Sequence, residues 1–241
     1  SIYWNKIISG RKLMAVKIIL DAGHNGATDP GAIYQGRRES DDNLRLTLAV
    51  GNLLSQAGYN IEYTRTGNLP QSVVQKAQLA NAINADYFIS IHRNMASYPG
   101  QYSGVQTLLY DLSGEKLTMA ENINRNLEAL GFRNLGVEAR PHLAVLRRTK
   151  MPALLIEVGF LDSESDNHLF DTRFDEIAQA IADGIMDTLQ ASSLIPPETG
   201  DTESEEPPLY RVQVGAFHNL QNAVALEQEL KRMGYNTWRY L

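Results

Sequence analysis

Four residues carry the chemistry this sequence offers. His24 lies in ILDAGHNG, His92 in FISIHRN and Glu157 in LLIEVGF, each at or just past the end of a short apolar, β-branched run. Glu39 follows in GRRESDD, in the loop after the first run. Two imidazoles and two carboxylates gathered at one place are the donor set of a hydrolytic zinc centre. Catalytic zinc takes three protein ligands from histidine and carboxylate and keeps a fourth position for water, whose pKa falls to about 7. His24, Glu39 and His92 satisfy that count. Glycines around His24 let the backbone approach a metal closely. Glu39, after Gly31 and Gly36, is expected on a loop flexible enough to swing back to His24. A further carboxylate must take the water's proton and pass it to the leaving amine, and Glu157 is placed for that. Burial behind Leu154–Ile156 is expected to raise its pKa and favour proton exchange over permanent ionisation.

Each residue also has a plainer reading. A single histidine at a strand end is more often a hydrogen-bonded structural residue than a ligand. Two at equivalent ends of different strands, with a glutamate at a third, favour the metal. Glu39 alone would pass for part of a solvated charge run, RRESDD. Glu157 stands out more, because an isolated carboxylate inside LLIEVGF is costly unless paired or functional. His142 precedes an apolar run and is a second-choice ligand. His168, among the polar residues of SESDNHLFD, is expected on the surface.

For residues so far apart to meet, their strands must lie side by side and end at one rim, where open α/β sheets bind ligands. The patterning supplies such strands. Val16–Leu20, Asn60–Thr64 and Tyr87–His92 read as strands, as do Gly104–Tyr110, Leu143–Leu146 and Ala153–Val158. Helices are expected at Asn43–Ala57, with Asp41 or Asp42 as N-cap and Gly58 as stop, and at Ser72–Asn84, Glu115–Leu130 and Phe174–Leu189. Strand–helix alternation predicts an α/β fold on a mostly parallel sheet.

Composition excludes several classes. The chain has 241 residues and is 43% hydrophobic, ample for one sizeable core and a small appendage. A net charge of −6 argues against nucleic acid, which needs clustered Lys and Arg. With no cysteine, disulfides, thiolate zinc sites and cysteine nucleophiles are excluded. No apolar run approaches the ~20 residues of a membrane span. The start, SIYWNKIISGRKLMAVK, lacks a signal-like apolar stretch. Met14 offers a native start, leaving 1–13 as a leader or cloning remnant and 14–189 as the catalytic domain. Residues 190–208, with four Pro, five acidic residues and no Lys or Arg, are expected to be an extended linker. Beyond it, 209–241 reads as one βαβ segment, with LYRVQVGAF a strand, Asn219–Met233 a helix and Asn236–Tyr240 a second strand. Such a segment is too short to bury a core alone.

From Val16 to about Leu189 the sequence resembles the zinc-dependent N-acetylmuramoyl-L-alanine amidases that cut bacterial peptidoglycan. The resemblance rests on ILDAGHNGATDPGA, the isolated Glu39, the pair Thr64–Arg65, FISIHRN and LAVLRRTKMPALLIEVGFLDSESD. It implies His24, Glu39 and His92 as zinc ligands and Glu157 as the catalytic carboxylate. It also implies a single twisted sheet of about six strands flanked by helices, and hydrolysis of the amide between N-acetylmuramic acid and L-alanine. The tail resembles half of a SPOR domain, a peptidoglycan-binding module, through VQVGAF and MGY, with Gln213 and Phe217 at positions of glycan contact. Its expected partner is therefore peptidoglycan, at the extracellular cell wall, reached without a signal peptide by lysis or another non-classical route. Two features depart from the family pattern. GHNGATDPGA is longer than usual and has Asn25 after the histidine, and Arg93 is larger and more basic than usual, so rim electrostatics are expected to differ. The rival readings are a zinc carboxypeptidase acting on stem peptides and a non-catalytic glycan-binding protein on the same scaffold. The latter requires a lost metal residue, and all four candidates are present.

Overall fold

The computed structural model describes residues 15–193 and 220–232. In chain order the elements are β1 (Lys17–Ala22), a short hairpin of β2 (Ile33–Tyr34) and β3 (Arg37–Arg38), α1 (Glu39–Gln56), β4 (Asn60–Tyr63), α2 (Val73–Ala82) and β5 (Tyr87–Asn94). They continue with β6 (Val105–Leu109), α3 (Gly114–Ala129), β7 (Asn134–Ala139), α4 (Ala144–Arg148), β8 (Ala153–Phe160), α5 (Glu164–Thr172), α6 (Phe174–Ser193) and α7 (Leu220–Arg232). Six strands form one sheet in the order β4-β1-β5-β8-β6-β7. β4, β1, β5 and β8 run parallel; β6 is antiparallel to β8, and β7 is parallel to β6. This is the mostly parallel α/β sheet expected.

The two faces are covered unequally, and that asymmetry positions the site. Successive strand residues point to opposite faces, so Ile18 and Leu20 of β1 enter one cluster while Ile19 enters another. The first cluster joins Ile89, Ile91, Leu154 and Ile156 to Leu46, Val50 and Leu54 of α1, Ile123 and Leu127 of α3, and Ile177, Ile181 and Ile185 of α6. The second joins Ile19, Phe88, Leu108 and Leu155 to Ala80 of α2 and to Val145 and Leu146 of α4. Only short helices cover this second face. Because side chains alternate, Asp21, Ser90, His92 and Glu157 also belong to it, beyond the apolar layer and towards the carboxyl ends of the parallel strands. Burial on both faces is also why β1, β5 and β8 read as almost unbroken apolar runs.

Several local expectations need correction. Residues 143–146 are not a strand. Ala144–Arg148 form a helical turn whose Val145 and Leu146 are buried, because four residues of apolar sequence cannot distinguish a buried turn from a strand. The helix expected from Asn43 begins at Glu39. Its N-cap is Arg38, without a side-chain cap, so neither Asp41 nor Asp42 is the cap. The β2–β3 hairpin, β7 and α5 were not anticipated. α2 starts as patterned, with Ser72 and Gln75 forming a reciprocal capping box. α6 continues to Ser193, four residues into the stretch read as linker. The rest of that stretch, residues 1–13, the two tail strands, Gln213 and Phe217 lie outside the described residues. α7 matches the helix expected in the tail. The chain divides into two units between Pro196 and Pro197. Among the described residues no helix is long and apolar enough to cross a membrane.

Candidate metal centre

β1 ends at Ala22, and the chain turns sharply so that His24 adopts φ +60°. A non-glycine residue in that region is held there by its surroundings. The buried guanidinium of Arg65 donates to the carbonyls of Ala22, Gly23, His24 and Ser40. The buried ammonium of Lys76 donates to those of Ala22 and His24, each at 2.8 Å, and pairs with Asp21 at 2.8 Å. Asn25, the departure noted in the sequence, braces the same turn. Its side-chain oxygen accepts from the backbone N–H groups of Ala27, Thr28 and Asp29.

Glu39 is the first residue of α1, fixed by the fold and not carried on a swinging loop. Its backbone N–H donates to Ala32 O at 2.9 Å, and its Oε2 accepts from Ala32 N–H at 2.9 Å. His24 Nε2 lies 3.0 Å from Glu39 Oε2, and His92 Nδ1 lies 2.9 Å from Glu39 Oε1. The two imidazoles meet edge-on with centroids 5.1 Å apart. One ligand atom from each of the three residues lies within 4.8 Å of the others. A zinc ion bound tetrahedrally at about 2.0–2.1 Å needs donors roughly 3.3 Å apart, so the donor types suit that ion and any spacing near the 4.8 Å limit would have to contract around it. Two glycines make the approach possible. A Cβ on Gly23 would stand 2.5 Å from the His92 ring, and one on Gly31 2.5 Å from both Glu39 Oε2 and His24.

Asp29 completes the arrangement and was not singled out from sequence. Its carboxylate lies 2.9 and 3.0 Å from His24 Nδ1, directing Nε2 towards the centre as an outer carboxylate does for a metal-bound histidine. Its only signal was an aspartate five residues after the histidine in a Gly-rich turn. The metal-free electrostatics follow from packing. Burial pulls the His24 pKa down, but hydrogen bonds and charge from Glu39 and Asp29 outweigh this and raise it to about 9. For Glu39, burial pushes up while His24 and His92 pull harder, so its pKa lies well below the carboxylate range.

Glu157 sits on β8 in register with His92 on β5. The side chain keeps some accessible surface, but its Oε2 is shut off from solvent and has no hydrogen-bond partner. Burial, reinforced by the nearby charge of Glu39 and opposed by His92, His24 and Arg93, lifts its pKa to about 7. The cleft over this site holds about 580 Å³ and is walled by Asn25, Asp29, Pro70, Ser72, Leu143 and Val145. His142 and His168 are both exposed and take no part.

The N-acetylmuramoyl-L-alanine amidase family model matches residues 18–187. The chain belongs to that family. A SPOR domain model matches residues 202–240 of this amidase. It is 32% identical over 227 residues to N-acetylmuramoyl-L-alanine amidase CwlM of Bacillus licheniformis, covering 92% of this chain and 83% of the relative. It is 30% identical over 226 residues to a sporulation-specific N-acetylmuramoyl-L-alanine amidase of Bacillus subtilis, with the same two coverages. The crystal structure of an N-acetylmuramoyl-L-alanine amidase from Clostridium difficile superposes with a TM-score of 0.69 at 28% identity, over 73% of this chain and 98% of that one.

Arg93 corrects a further expectation. It does not reach the rim of the amidase cleft. It is 2% exposed and pairs with Asp42 at 2.7 Å, so its charge acts on the site from the opposite face of the sheet, where it pulls the Glu157 pKa down against burial.

Proposed function

We propose that this amidase cleaves the amide between N-acetylmuramic acid and L-alanine in bacterial peptidoglycan, with His24, Glu39 and His92 holding a zinc ion and Glu157 moving the proton. The observation that carries this is the convergence of three ligand atoms within 4.8 Å beside a carboxyl raised to about 7. When bound, zinc supplies Lewis acidity that acidifies water and polarises a carbonyl. Asp29 holds His24 in the orientation that turns Nε2 to the centre. Arg65 and Lys76 hold the turn carrying it. Glu157, able to exchange a proton near neutrality, takes one from the attacking water and returns it to the leaving amine nitrogen. Proton transfer by a positioned group contributes about 10²–10⁴-fold.

The family match and the relatives' names support the substrate class, and the SPOR match supports a C-terminal segment that binds the same polymer. In this reading the catalytic domain runs from residue 14 to the end of α6 at Ser193, a linker follows, and the tail that the SPOR model matches over residues 202–240 binds the wall, with Gln213 and Phe217 contacting glycan. The enzyme acts at the bacterial cell wall. End-group analysis of digested peptidoglycan, together with metal analysis, tests this. Amidase action frees an L-alanine amine and an intact lactyl carboxyl. New carboxyl ends within the stem peptide would point to a carboxypeptidase instead, and full turnover by metal-free protein would remove the zinc.

A further inference from the structure

Arg93 follows His92 on β5, and strand alternation sends its side chain to the opposite face of the sheet. There one buried guanidinium ties together the elements that build the site. Nη1 donates to Asp42 Oδ2 on α1 at 2.7 Å. Nη2 donates to Asn167 Oδ1 on α5 at 2.7 Å and to the Phe160 carbonyl at the end of β8 at 3.2 Å. The group stacks over the Phe170 ring, 4.2 Å from its centre. The same Asp42 Oδ2 also accepts from Arg37 Nε at 2.6 Å, and Arg37 forks onto Asp171 at 2.7 and 2.9 Å. The Arg93 backbone N–H lies 3.3 Å from Glu39 Oε1. The strand carrying His92, the strand carrying Glu157 and the helix opened by Glu39 are thus clamped to α5 through one side chain.

A buried cation is an expensive way to fill this volume, since apolar residues of similar size often serve as well or better. A positive charge next to a metal-holding histidine also opposes a divalent ion. Geometry is what Arg93 offers in return: in its rigid fork Nη1 and Nη2 fix three partners at once, while the buried Nε has none. We infer that Arg93 is a positioning residue that sets the separation of His92 from Glu39, and thereby how tightly the three-residue centre holds its metal. The inference rests on the zinc reading above.

The test compares zinc dissociation constants, by chelator competition, for the wild-type chain, Arg93→Met, Arg93→Lys and Asn167→Ala, with the unfolding midpoint of each metal-free protein. Arg93→Met and Arg93→Lys should bind zinc about 10–100-fold more weakly, the loss typical of outer-shell partners. Asn167→Ala removes one guanidinium partner and touches no metal-holding side chain, so it should show a smaller loss in the same direction. Should Arg93→Met fail to fold, the other two variants decide the matter. Tighter zinc binding by Arg93→Met would mean that Arg93 acts only as a repelling charge. Lower midpoints with unchanged zinc affinity would make it a structural prop. Either result overturns the inference while leaving the metal centre standing. A wild-type chain that takes up no zinc would remove both.

Discussion

Glu157 should oppose stability while it serves activity, and the two effects separate by pH. Replacing it with Gln keeps size and shape and removes the titration. Burial lifts the folded-state pKa from the ordinary 4.5 to about 7, so folding favours the protonated form. The stability this group contributes is therefore fully present below about pH 4.5 and is lost as pH rises through 7. At 1.36 kcal/mol per pKa unit, the ionised carboxyl costs at most about 3 kcal/mol at pH 8. The side chain keeps some solvent contact, so the true figure is smaller. A Gln amide left without an acceptor costs about 1–3 kcal/mol at every pH. The diagnostic quantity is therefore the change with pH. In metal-free protein, Glu157→Gln minus wild-type stability should be up to about 3 kcal/mol more favourable at pH 8 than at pH 4.5, measured by denaturant unfolding. At the same time kcat should fall about 10²–10⁴-fold, with zinc content near wild type. A stability difference that does not move with pH would refute the argument that burial strains this carboxyl. A variant that loses its zinc would show that Glu157 is a ligand and not the proton carrier.

Metal uptake should itself depend on pH. His24 in the metal-free protein is protonated below about 9, and zinc must displace that proton. Apparent affinity, followed by calorimetry, should rise about tenfold per pH unit from 6 to 8 and flatten near 9. Gly31→Ala would push a methyl against Glu39 and His24 at 2.5 Å, at φ +68°. Zinc affinity should fall at least tenfold, while far-ultraviolet circular dichroism of the metal-free chain stays unchanged. A chain ending at Ser193 should keep its fold and its rate on soluble muropeptides, and its rate on intact sacculi should fall if the tail binds glycan.

Much of this protein was legible in the order of its residues, because burial on both faces imposes a signal that needs no partner to be read. VKIIL, YFISIH and ALLIEV are rich in β-branched residues and read as covered strands, which placed His24, His92 and Glu157 near one rim. Glu39 was harder: its charge run is indistinguishable from solvated surface until Ala32 and Pro30 accept the backbone that starts α1. Tertiary structure alone decided that β6 runs against β8, that residues 144–148 coil, and that Asp29 turns His24 towards the centre. It also decided where Arg93 points. Sequence marks a large cation beside a histidine, but its partners Asp42 and Asn167 lie 51 and 74 residues away. Local pattern reports which face a side chain takes; what waits there depends on segments brought together only by folding.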